Sequence, residues 1–176
     1  MGLSDLGTWA IDLVRAHQAW AAPICFVLAF AESLAFVSLI VPSSVMLIGI
    51  GGLVGYGDLS FIEVFLASAI GAGCGDWLSY WLGGMFKDRI GEIWPFSRHP
   101  GWLPRARSFV ERWGWSGVFL GRFLGPLRAT VPIAAGLCVM PRWRFQLANW
   151  SSAFVWAFAL LAPGAFGLAW LRDFWD

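Results

Sequence analysis

Gly121-Arg122-Phe123-Leu124-Gly125-Pro126-Leu127-Arg128-Ala129-Thr130-Val131-Pro132-Ile133-Ala134-Ala135-Gly136 sets two arginines and two prolines in a run otherwise apolar enough to enter a membrane. An arginine at the bilayer centre costs roughly 3 kcal/mol on insertion scales. Two of them, six residues apart, need partners or water. Pro126 and Pro132 are expected to break the helix here, and lipid tolerates broken backbone only where protein or a wet cavity covers it. Fixed positive charge on broken backbone at membrane depth points to an anion site.

Composition agrees with a membrane location. Of 176 residues, 59% are hydrophobic and 13% charged, against about 25% charged in a soluble domain. The net charge of +1 gives no reason to expect nucleic acid. No cleavable signal peptide is expected, because Met1 to Trp20 carries Asp5, Asp12 and Arg15 and lacks a basic start followed by an apolar core. Cys25, Cys74 and Cys138 are far apart in apolar sequence and read as small buried hydrophobes.

Outward from the arginines, the chain divides into six parts within one polytopic membrane domain. Residues 1–22 have helical amphipathic spacing and read as an interfacial helix, or as a short helix packed on the rest. Residues 24–56 run about 33 residues with Pro42 and several glycines inside, too long for one span of roughly 20. A re-entrant hairpin turning near Pro42-Ser43-Ser44 fits. Residues 61–84 form the clearest spanning helix, with Asp76 its one deep charge. Residues 85–115 hold six of the twelve basic residues and are expected to be cytoplasmic. Residues 116–141 then enter and leave by that same side, before the basic Arg142-Trp143-Arg144, so a second hairpin is expected, closing near Gly136. Residues 145–171 form the last span. Glu32 precedes Pro42 by ten residues as Arg122 precedes Pro132. This weak repeat suggests two broken segments face to face at the midplane.

Arg122 and Arg128 are the candidate phosphate ligands, since a guanidinium binds bidentately and keeps its proton. The alternative is that both snorkel to headgroups. Glu32 is the only acid of the first hairpin. It reads either as a proton-exchanging group or as a structural partner of Arg122 or Arg128. Asp76 either pairs with an arginine or faces interfacial water. Ser43 and Ser44 are candidate phosphate donors, or satisfy backbone at the break. Nucleophile-elbow, phosphate-loop and zinc motifs are absent from the sequence. His17 and His99 lie outside the apolar segments, so no enzyme, cofactor or metal site is expected.

Phe119-Leu120-Gly121-Arg122-Phe123, with Pro126, Arg128, Pro132 and Ala135-Gly136, resembles the signature of the DedA family, the bacterial branch of the VTT or SNARE-associated membrane proteins. Glu32, Pro42, Gly75-Asp76, Tyr80-Trp81-Leu82-Gly83, Met140-Pro141 and Phe145 extend the resemblance over roughly residues 25–170. It implies an all-α fold of two opposed re-entrant helical hairpins plus transmembrane helices in an inverted repeat. It also implies a multi-pass protein of the bacterial inner membrane that moves an anionic lipid between leaflets. Undecaprenyl phosphate is the favoured substrate, and the proton-motive force a candidate energy source. The family's essential charges fall on Glu32, Arg122 and Arg128. Many members carry an acid after the hairpin proline where this chain has Ser44, which leaves proton coupling open. The alternatives are a glycerophospholipid scramblase or flippase and a proton-coupled small-ion or drug transporter. A homo-oligomer is also left open.

Overall fold

The computed structural model describes residues 18–34, 43–55, 59–92, 96–124 and 127–175, and these are helical with no strand among them. The helices are α1 (Gln18–Ser33), α2 (Ser43–Gly55), α3 (Phe61–Phe86), α4 (Trp102–Gly121), α5 (Leu127–Leu137) and α6 (Arg142–Trp175). A 3-10 helix, Lys87–Glu92, follows α3. Two stretches are long and apolar enough to cross a membrane, Phe61–Phe86 and Arg142–Gly167, with mean hydropathy 1.4 and 1.3. Both leave large apolar side chains exposed, among them Leu66, Ile70, Leu147, Val155 and Phe158. Faces of that kind suit lipid rather than water.

α3 is the hub. Its stripe of Gly71, Gly75, Ser79 and Gly83 repeats every four residues, so these small residues share one face. α1 lies along the first part of the stripe, where Gly71 meets the Phe26 carbonyl and Gly75 meets Phe30 and Ser33. The Ser79 hydroxyl then donates to the Ser33 carbonyl at 3.4 Å. α5 takes the last part, with Gly83 against the Ile133 carbonyl. The end of α1 and the body of α5 are thereby set side by side. In lipid, close backbone approach through small residues replaces hydrophobic transfer as the packing force. A Cβ at Gly71 would overlap the Phe26 carbonyl oxygen, whereas one at Gly167 meets nothing within 4 Å. Gly71→Ala is therefore expected to cost about 1–3 kcal/mol and Gly167→Ala to be neutral or better, as read by thermal unfolding in detergent.

The other spanning helix is engaged in a matching way. α2 packs on α6, with Gly51 against the Leu161 backbone and Gly164 against Gly51 and Gly52. α5 packs on α3, with Gly136 against the Tyr80 backbone. Cys25, Leu47, Val64, Trp156 and Leu161 fill the core between α1, α2, α3 and α6. Val110, Val118, Val131 and Phe145 fill a second core between α4, α5 and α6.

Several boundaries differ from those read in the sequence. Most of the segment 1–22 lies outside the described residues, but α1 already begins at Gln18 and runs through Pro23. α4 crosses the expected boundary at 115/116. It bends instead at Gly114, whose φ of 56° is one a side chain rarely adopts. Pro132 and Gly136, expected as hairpin breaks, both lie inside α5. Pro132 leaves the Arg128 carbonyl without an intrahelical donor, yet the helix continues to Leu137. Gly136 serves close packing on α3 rather than a turn. The chain actually turns at Arg122–Leu124 and again at Cys138–Val139. Pro42 and Pro126 lie outside the described residues. α6 extends beyond 145–171 at both ends, with Pro163 inside it.

Candidate functional site

Arg122 follows the last residue of α4, in the turn that α4 makes towards α5. It is 4% exposed. Its Nη2 donates to Asp76 Oδ2 at 2.5 Å and to Asn149 Oδ1 at 2.8 Å. Its Nε donates to Ser152 Oγ at 3.0 Å. Asn149 is fixed in turn, since its Nδ2 donates to the Gly73 carbonyl at 2.9 Å. The Ser152 hydroxyl donates to the Asn149 carbonyl at 3.0 Å. α3 and α6 thus hold one guanidinium from two sides. Its Nη1 and the Asp76 Oδ1 are buried and have no hydrogen-bond partner among the described residues.

Arg128 is the second residue of α5. A cation there opposes the helix dipole, so its position must be justified by something else. Its Nη1 forms an ion pair with Glu32 Oε1, at the end of α1. Its Cζ lies 4.4 Å from the centre of the Trp156 ring on α6, a cation–π contact. Nε and Nη2, the two donors on the guanidinium's side edge, are buried and have no partner among the described residues.

The structure therefore buries Glu32, Asp76, Arg122 and Arg128 as two interior ion pairs, Arg122–Asp76 and Arg128–Glu32. The sequence reading left Asp76 either paired with an arginine or facing interfacial water, and the structure pairs it with Arg122. Asp76 is the second carboxylate, and the centre is charge-balanced. The two arginines are not equivalent. Arg122 is braced by three side chains, whereas Arg128 is held by one ion pair and one ring. Ser43 and Ser44 open α2, and their side chains lie outside the described residues. Asn149, Ser152 and Trp156 were not singled out from the sequence. Their signal was two polar residues three apart inside an apolar span, followed one helical turn later by a tryptophan.

Among known protein families, the VTT domain matches residues 41–166. The chain belongs to the VTT-domain family, the DedA family. The matched region contains Asp76, Arg122, Arg128, Asn149, Ser152 and Trp156, while Glu32 precedes it. The chain is similar to the inner membrane protein YabI of Escherichia coli, 37% identical over 137 residues, covering 77% of this chain and 54% of YabI. It is similar to an uncharacterized membrane protein of Buchnera aphidicola, 30% identical over 159 residues, 90% of this chain and 62% of the relative. It is also similar to the inner membrane protein YqjA of Escherichia coli, 28% identical over 145 residues, 80% of this chain and 64% of YqjA. The chain spans somewhat over half the length of these curated relatives. No solved structure gives a significant match. With its relatives named as inner membrane proteins and two helices able to span a bilayer, this VTT protein is placed in the bacterial inner membrane.

Proposed function

We propose that this VTT protein moves an anionic, phosphate-bearing lipid between the leaflets of the inner membrane, with undecaprenyl phosphate the favoured substrate. The observation that carries the reading is the Arg128 side edge, where Nε and Nη2 are buried without partners among the described residues. Two parallel N–H groups fit two phosphate oxygens, and five donors on one guanidinium leave room for Glu32 and a phosphate together.

In this reading the two arginines divide the work. Arg122, pinned by Asp76, Asn149 and Ser152, is the fixed post that holds α4, α3 and α6 in register. Arg128 is the ligand. A phosphate arriving on its side edge competes with the Glu32 carboxylate for the same charge. Protonation of Glu32 would release the arginine to the lipid, and loss of that proton would expel the lipid. The opposed glycine contacts of α2 on α6 and α5 on α3 suit two hairpins arranged as an inverted repeat around this point, with access alternating between the two sides.

The test is a lipid-flip assay in proteoliposomes with defined headgroups and an imposed pH gradient. Faster transfer of phosphomonoester lipids than of phosphatidylcholine is expected. Equal transfer of all headgroups would replace this reading with a headgroup-blind scramblase.

A further inference from the structure

Beyond the last turn of α3, a cavity of about 640 Å³ opens between α3, α4, the end of α5 and the start of α6. Lys87, Arg107 and Arg142 line it, and among the described residues no acidic side chain does. Arg107 shares its charge with Glu111, one turn along α4, through a half-exposed pair at 3.0 Å. With Arg107 so engaged, Lys87 and Arg142 bring two positive charges to one hollow. Trp81, Met85 and Val139, all exposed, give the same hollow an apolar lip.

Two backbone observations point to the same place. Lys87 and Val139 have φ of 47° and 50°, and among the described residues no other non-glycine residue has a positive φ. Both line this cavity. For a β-branched valine such a conformation is a genuine outlier, and strain of this kind gathers at ligand sites. α6 begins immediately beside it, with Arg142 and Arg144 in its first turn and no acid there. Cations at the positive end of a helix repel its dipole. An anion in the cavity would offset that repulsion.

We infer that this cavity is a second phosphate site, at the membrane surface and distinct from the buried arginines, that takes a phosphomonoester group. A phosphomonoester carries about −1.5 to −2 charges near neutral pH, which suits the two cations Lys87 and Arg142. The apolar lip favours a phosphate borne on a lipid, whose chain would rest on Trp81, Met85 and Val139. Tyr80 and Gly136 line the cavity where α3 and α5 touch, and Asp76 is one helical turn further in. The cavity thus stands at the approach to the charged centre. It does not depend on the transport reading.

Thermal unfolding of the full chain in detergent tests this, with dioctanoyl phosphatidic acid, dioctanoyl phosphatidylglycerol, dioctanoyl phosphatidylcholine and inorganic phosphate as probes. Phosphatidic acid is expected to protect wild type, and part of that protection is expected to persist in Arg128→Lys, where only the buried pair is weakened. The double variant Lys87→Gln/Arg142→Gln is expected to bind it at least tenfold more weakly, and Lys87→Arg/Arg142→Lys to retain binding. Protection by inorganic phosphate that is lost with the same double variant would keep the site and assign it to free phosphate. Equal affinity in wild type and the glutamine double variant would overturn the proposal. So would protection that vanishes in Arg128→Lys alone, because the ligand would then sit at the buried pair.

Discussion

Asp76→Ala is expected to lower the unfolding temperature by about 10 °C or more and to reduce the amount of protein in the membrane. Breaking one side of a buried ion pair costs about 3–5 kcal/mol, because the surviving charge stays buried. In a chain of this length each kcal/mol is worth about 2–4 °C. The Arg122 and Asp76 side chains are 1% and 6% exposed, so solvent cannot compensate. Asp76→Asn is expected to cost less, since the amide still accepts from Nη2 while losing the charge. The informative variant is Asp76→Leu/Arg122→Met. Removing both charges is often neutral where removing one is not, so this pair should recover most of the lost stability. Unfolding of Asp76→Ala at the wild-type temperature would remove Arg122 from its role as the post between α3 and α6. Failure of the double variant to recover would shift the weight to Asn149 and Ser152, which it leaves facing an apolar side chain.

The charged residues of this centre could be read in the sequence because each stands alone in apolar surroundings. Glu32, Asp76, Arg122 and Arg128 were all visible on that ground. Their pairing was not. Arg122 lies 46 residues from Asp76, and Arg128 lies 96 from Glu32. Nothing in local spacing says which acid meets which base. The glycine stripe of α3 decides it, by seating the end of α1 beside α5. The spanning helices were legible from length and hydropathy, and their ends were not. Pro132 misled for a physical reason. A proline removes one hydrogen bond and disfavours the α region of the residue before it, but α5 is packed by α3 and α4, and tertiary contacts carry the helix across. Gly114, by contrast, bends α4 where the sequence reading placed only a boundary between segments. Asn149 and Ser152 carry no charge, so neither stands out alone in a long apolar span. Taken as a pair three apart, they share a helix face.

Arg128→Lys is expected to insert and fold like wild type, yet to lose lipid transfer by about 10–100-fold. The lysine keeps the charge, so the Glu32 ion pair and the insertion cost change little. It loses the planar fork, and with it the paired donors of Nε and Nη2. Hydrogen bonds to charged groups are worth about 1.5–3 kcal/mol each, and one such bond accounts for a loss of that size. Unfolding temperature separates this from a structural effect, because Arg128→Lys should leave it near the wild-type value while Asp76→Ala does not. Glu32→Gln is the companion. It preserves size and a hydrogen-bond acceptor for Nη1 but exchanges no proton, and it no longer competes with phosphate as a carboxylate. Transfer is expected to fall strongly in that variant while binding of phosphatidic acid in detergent is retained or tightened. An imposed pH gradient should accelerate wild type and leave Glu32→Gln unaffected. Full transfer by Arg128→Lys would show that a point charge suffices and that the buried side edge holds no phosphate. Identical gradient responses in wild type and Glu32→Gln would reduce Glu32 to a structural counter-ion and make lipid movement a passive exchange.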